Sequence, residues 1–212
     1  MLITRYAKIV MVASLAIFCL VVVFGNATDY ATNYLFVKRV LSMDTTFPGN
    51  RLMYRAITDE GLWHFAYWLI VLGQAVAGVL LLAGAIRLWQ VRKASGPEFN
   101  AAKGLVVAGA LAAFIVWFFM FMVIGGEWFA MWQSATWNGQ EAAFRLYVAV
   151  LAVLIFVNQA DGDLSTPAAK PKPAAKAKAA PAKKAAPPKK RAPAKKQPPR
   201  RNTTQNRRTG TA

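Results

Sequence analysis

The sequence predicts an all-α integral membrane protein with four transmembrane helices, short amphipathic helices in the outer loops and a disordered C-terminal tail. Three observations predict this class. Four apolar segments are each long enough, at ~1.5 Å per residue, to cross a hydrocarbon core of ~30 Å. Apolar residues make up 56% of the chain, which exceeds what a soluble core requires. From about Leu164 the composition changes to Lys, Arg, Pro and Ala without a single acidic residue.

The predicted transmembrane domain covers residues 1–163, and its spans lie at about 9–28, 61–86, 104–126 and 142–160. The first three spans contain no Lys, Arg, Asp or Glu, and the fourth contains only Arg145. Asn138 can cap the fourth span, and Glu141 can complete a capping box with it. The end of this span is predicted at Asp161-Gly162.

Basic residues flank the spans unequally, which predicts the orientation. They precede span one and crowd the loop between spans two and three, whereas residues 127–141 contain none; the residues concerned are Arg5, Lys8, Arg87, Arg92, Lys93 and Lys103. We therefore expect both termini in the cytoplasm. An alternative is that span one is a cleaved signal ending near Gly25-Asn26-Ala27, which would leave three spans and keep the tail cytoplasmic.

The first outer loop contains a candidate surface helix at Tyr30–Met43. Tyr34, Val37 and Leu41 recur at helical spacing, with Val40 one step aside. Asp44 and Pro48-Gly49 are expected to end this helix. It can serve either as an interfacial anchor or as a lid over a cavity between the spans.

The second outer loop contains three Trp within ten residues, of which Trp128 and Trp132 are four apart and would share one helical face. Tryptophan is enriched at the headgroup level of bilayers, so an aromatic belt explains these residues. The alternative is a small hydrophobic site for a quinone or lipid between this loop and the outer ends of spans two and three.

The body offers little chemistry for catalysis. His64 is its single histidine, and bound haem ordinarily takes two axial ligands in such a bundle. Cys19 is the single cysteine, and no HExxH or Gly-x-Ser-x-Gly motif occurs. We therefore predict no enzyme activity, no metal site and no cofactor. His64 remains a hydrogen-bonding residue at the interface, with Asp59 or Glu60 as its nearest carboxylates.

Polar and small residues within the spans suggest packing roles. Arg145 can pair with Glu127 across spans three and four, or with Glu141 on its own helix. Gln74 is suited to a hydrogen bond between helices. Small residues recur four apart in spans two and three, which favours a compact bundle or an oligomer face; they are Gly73, Ala77, Gly104, Ala108 and Ala112.

The tail carries most of the positive charge of the chain. Residues 1–163 hold all nine carboxylates and eleven of the 26 Lys and Arg residues, so their net charge is +2 and that of residues 164–212 is +15. Frequent proline and mutual repulsion predict disorder. The tail is expected to contact anionic lipids, with nucleic acid as a less favoured partner. Its contact residues are Lys183, Lys184, Lys189, Lys190, Arg191, Lys195 and Lys196.

Four segments together resemble a family of bacterial small integral membrane proteins of unknown function. They are Trp63–Trp68, Gly125–Ser134, Trp137–Gln140 and Asn158–Asp161. The resemblance covers about residues 5–163 and implies four transmembrane helices in a bacterial inner membrane. It implies no catalytic or binding residue.

The sequence thus supports three hypotheses about function. The first is a non-enzymatic accessory or assembly component of a membrane complex, which contacts other subunits or forms a homo-oligomer. The second is a quinone, lipid or haem binding protein with a ligand surface formed by Trp128, Trp132, Glu127, Arg145 and His64. The third is a tether that holds nucleic acid or ribosomes at the membrane through the tail.

Overall fold

The computed structural model describes residues 2–164. Four long segments of this part of the chain are helical. The tail residues named above lie outside these residues. The helices are α1 (Leu2–Thr28), α2 (Tyr30–Ser42), α3 (Glu60–Gln90), α4 (Gly96–Ala101), α5 (Gly104–Phe114) and α6 (Gln140–Asn158). A π-helical segment, Ile115–Trp128, continues α5 directly, and single 3-10 turns occur at Met53–Arg55 and Met131–Gln133.

Four helices have the length and apolar composition to cross a membrane: α1, α3, α6, and Gly96–Trp128, which includes the π-helical segment. In the bundle α3 packs against both α1 and α5, while α6 packs against α1, α5 and the π-helical segment. We call the end of the bundle that carries α2 the α2 end. We call the opposite one, where α1 begins and α6 ends, the terminal end. Within residues 2–164 the predicted all-α class with four candidate membrane-spanning helices is confirmed.

The contact between α3 and α5 is close enough to require glycine. A Cβ atom on Gly109 would lie 2.8 Å from the backbone nitrogen of Leu81, and one on Gly84 would lie 3.0 Å from that of Val106. The predicted stripe of small residues is correct for α3, where Ala77 is fully buried. On α5, Gly104 has open space around it and Ala108 is exposed, so these residues do not pack inside the bundle and the alternative of an oligomer face stays a prediction there.

The predicted helix at Tyr30–Met43 is confirmed as α2, which buries Val37, Val40 and Leu41. It ends because Met43 adopts the left-handed conformation, with φ of 54°. The next segment is held against it by a hydrogen bond of 2.8 Å from the amide of Ile57 to the carbonyl of Leu41.

The predicted capping box at the start of α6 is wrong. The cap residue is Gly139, and the carboxamide of Asn138 accepts a hydrogen bond of 3.1 Å from the amide of Gln140. Glu141 instead pairs with Arg145 one turn further on. The helix also ends earlier than predicted, at Asn158, because Gln159 is extended with ψ of 133°.

Candidate functional site

A cavity of about 340 Å³ lies beneath α2 at the α2 end of the bundle. We call it the apolar cavity. Its walls come from α2, the first turns of α3, the π-helical segment and the loop that follows that segment. The residues that line it are Phe36, Val37, Val40, Leu41, Ile57, Leu62, Phe65, Ala66, Leu69, Ile70, Phe119, Met120, Phe121, Ile124, Gly125, Phe129 and Met131. All of these side chains are apolar, so the cavity offers packing surface and no charge.

The two loops at the α2 end are joined to each other above this cavity. The amide of Phe47 donates to the side-chain oxygen of Gln133 at 3.1 Å. Arg55 donates to the carbonyl of Trp128 at 3.2 Å and lies over the Trp128 ring at 4.6 Å from its centroid. These contacts join the segment after α2 to the second outer loop, and the two loops together cover the apolar cavity.

The π-helical segment forms one wall of the apolar cavity. Its last turn is marked by a hydrogen bond of 3.0 Å from the amide of Phe129 to the carbonyl of Ile124, five residues earlier. π-Helical turns are rare and are frequent at functional sites. This winding places Phe119, Met120 and Ile124 in the cavity wall, and Gly125 is buried beside them.

An apolar groove of about 410 Å³ continues from the cavity along the seam between α3 and the helix formed by α5 and the π-helical segment. Leu69, Phe119 and Met120 line both. The groove also reaches Leu72 and Ile115, which are 60% and 46% exposed on the face of the bundle that lipid would cover. The apolar cavity therefore adjoins a groove on the face of the bundle that lipid would cover.

The residues predicted as a ligand surface do not form one site. Trp128 and Trp132 are each half exposed and lie outside the walls of the cavity. They do not share a helical face, because Ala130 between them is left-handed with φ of 50°. Glu127 is exposed beside them. Arg145 pairs with Glu141, the second of its two predicted partners, on an exposed part of α6.

His64 belongs to a cluster of aromatic rings where α2 crosses α3. Its Nδ1 atom shares a hydrogen bond with the hydroxyl of Tyr30, and its ring stacks on Tyr34 with 4.3 Å between the centroids. Glu60 lies 3.9 Å from Nε2. Within residues 2–164 no group of three or more His, Cys, Asp and Glu residues is placed to hold a metal ion.

Sequence reasoning missed a buried cluster of charged side chains at the terminal end. The carboxylate of Asp161 accepts hydrogen bonds from the ammonium groups of Lys8, at 2.6 Å, and Lys103, at 2.7 Å. All three side chains are nearly inaccessible, with 6% or less of their surface exposed. Both ammonium groups also donate to the carbonyl of Gln159, at 2.6 and 2.9 Å. We call this group the Asp161 cluster.

The electrostatics of the cluster favour an ionised Asp161. Burial alone would raise the pKa of its carboxyl, but hydrogen bonds from Lys103 and Lys8, and then their charges, outweigh burial and hold the pKa below its ordinary value. The carboxylate of Asp161 therefore compensates one of the two lysine charges, and the cluster with both lysines protonated keeps a net charge of +1.

Arg5 links the start of α1 to the loop after α3 and to the segment after α6. Its side chain is fully buried and donates to the carbonyls of Arg92, Ala94 and Gly162 at 3.0, 2.7 and 2.9 Å. Its guanidinium group also lies 4.6 Å from the centre of the Phe99 ring. The start of α1 and the segment after α6 thus meet at the same end of the bundle.

Comparison with known proteins gives one positive result. A family model described as predicted small integral membrane protein (DUF2165) matches residues 4–160. No curated protein and no solved structure matches the chain.

Proposed function

Because the chain belongs to the DUF2165 family of predicted small integral membrane proteins, we propose that it is a non-enzymatic protein that binds the hydrocarbon chain of a membrane lipid. The apolar cavity is the observation that carries this proposal. Ligand sites are typically concave, of 300 Å³ or more, and mostly apolar. A cavity of about 340 Å³ without a polar side chain in its wall fits a hydrocarbon chain better than any polar ligand.

Access to the cavity supports the same ligand. A chain from the bilayer can follow the groove between α3 and the π-helical segment without crossing a polar surface. Transfer from lipid into such a cavity gains little hydrophobic free energy, because lipid tails are as apolar as the cavity wall. Selectivity for one lipid over another therefore depends on the shape of the apolar cavity, which α2 and the second outer loop determine.

The test uses a side chain that fills the cavity. Ala66 lies on α3 in the cavity wall, so Ala66→Phe places a ring inside it. Val79→Phe is the matched control, because Val79 is 57% exposed on the same helix and lines none of the cavities described here. The full chain is purified in mild detergent, and bound lipid is identified by mass spectrometry and absorption spectroscopy.

We expect a reproducible lipid at a fixed ratio in the native chain and in Val79→Phe, and much less of it in Ala66→Phe. An equal amount in all three proteins, or none in any, would contradict the proposal. The absorption spectrum identifies a quinone or haem if either is the molecule retained.

A second proposal is that the protein is an accessory or assembly component of a larger membrane complex. Gly104 and Ala108 favour it, since this part of α5 faces away from the bundle and small residues let a second helix approach closely. Ala108→Leu should then release a protein that otherwise co-elutes at fixed ratio. An unchanged set of co-eluting proteins would contradict it.

We also propose that the protein resides in a bacterial inner membrane with both termini in the cytoplasm. Contacts between Arg5 and Gly162 support a common side for the two ends of the transmembrane domain. The excess of basic residues near the terminal end supports the cytoplasmic side. The tail would then reach the anionic leaflet, where each Lys or Arg near the surface gains about 1 kcal/mol.

A further inference from the structure

A second cavity, of about 280 Å³, lies in the bundle next to the apolar cavity. Phe36, Val37, Ile70 and Phe121 line both cavities, so the two cavities adjoin at these side chains. Unlike its neighbour, the second cavity is lined in part by the amide side chains of Asn26, Asn33 and Gln74. We call it the amide cavity.

Gln74 is the most informative of these residues. Only 3% of its surface is exposed, and its side-chain oxygen accepts a hydrogen bond of 2.7 Å from the Nδ2 atom of Asn26. Its Nε2 atom makes no hydrogen bond within residues 2–164, and Gln74 is one of the residues that line the amide cavity. If the oxygen and nitrogen positions of both amides are exchanged, the free NH₂ group belongs to Asn26 instead, so the pair keeps one free NH₂ group and one free carbonyl oxygen in either arrangement.

The hydroxyl of Tyr67, which also lines this cavity, is already engaged. It donates to the backbone carbonyl of Asn26 at 2.7 Å. This bond fixes the end of α1 against α3 and leaves the amide pair as the group able to bind something in the cavity. A ligand oxygen that accepts from the free NH₂ group of the pair would add a hydrogen bond that the protein itself does not make.

The Asn26–Gln74 pair lies deep in the bundle, where two polar amides cost free energy, so a packing role alone does not explain them well. Gln74 lies sixteen residues before Gln90 at the end of α3, which is ~24 Å along the helix axis. That distance places it inside the hydrocarbon region, where polar side chains are rare and often functional. One hydrogen bond would be enough to join α1 to α3. Here both amides also line a cavity, and each keeps one group outside the hydrogen bond between them.

The charge of the ligand follows from the wall. No Asp, Glu, Lys, Arg or His side chain lines the amide cavity within the described residues. A charged head group would stay unpaired in this interior, which disfavours its binding. The ligand is therefore neutral and carries at least one carbonyl oxygen, and the rings of Trp117 and Phe121 give it flat apolar surfaces.

We propose that the amide cavity binds the neutral, carbonyl-bearing head group of the lipid whose hydrocarbon chain occupies the apolar cavity. This inference rests on the proposed function. The Asn26–Gln74 pair donates to a carbonyl oxygen of the head group, and the chain extends alongside Phe36 and Phe121, which line both cavities, into the apolar cavity. A quinone ring and the esters of a diacylglycerol share this chemistry.

Binding of three tritiated probes to the delipidated full chain in detergent tests the inference. The probes are decylubiquinone, dioctanoylglycerol and hexadecane, which has a chain but no head group. We expect one carbonyl probe to bind more tightly than hexadecane, and the better one identifies the head group. Gln74→Leu should weaken that probe about tenfold, which is about 1.4 kcal/mol, and leave hexadecane unchanged.

The double variant Asn26→Leu/Gln74→Leu guards against misfolding, because removing both partners of a hydrogen bond leaves no buried amide unsatisfied. It should lose the carbonyl probe to the same extent and keep its thermal unfolding midpoint. Equal affinity for the carbonyl probes in the native chain and both variants would overturn the inference. If Ala66→Phe still abolished hexadecane binding in that case, the proposed function would stand. If hexadecane failed to bind any form, the proposed function would fall instead.

Discussion

Replacing Asp161 by asparagine removes the carboxylate that the buried ammonium groups of Lys8 and Lys103 share. The two Nζ atoms lie 2.6 and 2.7 Å from the same oxygen, and all three side chains are almost fully buried. Breaking a buried ion pair by removing one partner typically costs about 3 to 5 kcal/mol, because the remaining charge is left uncompensated.

The expected loss for Asp161→Asn is at the lower end of that range, about 3 kcal/mol. The amide oxygen still accepts a hydrogen bond, and both lysines keep the carbonyl of Gln159 at 2.6 and 2.9 Å. What the variant loses is the negative charge. Asp163→Asn is the matched control, since Asp163 is exposed and, among the described residues, its side chain accepts only from the amide of Gly96, at 2.6 Å. An amide can replace that contact, so the control should lose less than about 1 kcal/mol.

The assay is equilibrium unfolding of the full chain in mixed micelles by added SDS, followed by tryptophan fluorescence. The difference between the two variants is the informative quantity, because both remove one negative charge from the same segment. If Asp161→Asn lost no more stability than Asp163→Asn, the negative charge of Asp161 would not be stabilising the two buried lysines. That result would refute the role given to the ion pairs.

The pH dependence of stability tests the same cluster. The pKa of Asp161 is lower in the folded protein than its ordinary value, so the unfolded chain binds this proton first as the pH falls. The stabilisation is complete above the unfolded pKa of about 3.9 and is lost as the pH falls through the lower folded value. Asp161→Asn should lack this part of the acid transition, and an identical acid profile in both proteins would argue against it.

Three further predictions concern packing, topology and the tail. Gly109→Ala should destabilise the bundle by about 1 to 3 kcal/mol, whereas Gly104→Ala, with open space around it, should be neutral or slightly stabilising; SDS unfolding measures both. An impermeant maleimide on intact cells should label Glu127→Cys and not Lys93→Cys, with no background because the single native cysteine is buried; the reverse pattern would invert the proposed orientation. Deleting the chain after Asp163 should abolish binding of the nanodisc-embedded protein to phosphatidylglycerol vesicles at low salt, while binding to RNA and not to vesicles would favour a nucleic-acid tether.

The spans and α2 could be predicted because their signals are local. A run of about 20 apolar residues implies a crossing helix whatever surrounds it, and the spacing of Val37 and Leu41 defines one face of α2. The ends of helices were less predictable. Asn138 is a good capping residue by composition, but the turn it forms moves the cap to Gly139.

The π-helical winding of Ile115–Trp128 could not be predicted, because hydropathy does not distinguish it from an α-helix of the same composition. The two cavities depend on how side chains from four helices meet, which no single segment encodes. The residues predicted for a ligand surface were chosen for their chemistry and proximity in sequence. They lie outside the walls of both cavities, and their role in binding stays a prediction.

The Asp161 cluster joins residues more than 150 positions apart, and it did leave a signal in the sequence. With four spans and both termini on one side, Lys8, Lys103 and Asp161 all fall at the same membrane boundary. The lysines predict orientation and Asp161 predicts the end of a helix when each is taken alone. Their shared depth in the membrane is the signal that predicts an ion pair between them.

The position of Asp161 in the chain has a consequence for biosynthesis. Ribosomes make the N-terminal part first, so Lys8 and Lys103 enter the membrane boundary well before their shared carboxylate exists. Until then both lysines are hydrated and free to direct the insertion of the helices beside them. Asp161 follows the last helix and draws the two lysines out of water, so the buried ion pairs form only in a chain that has been made to the end of its transmembrane domain.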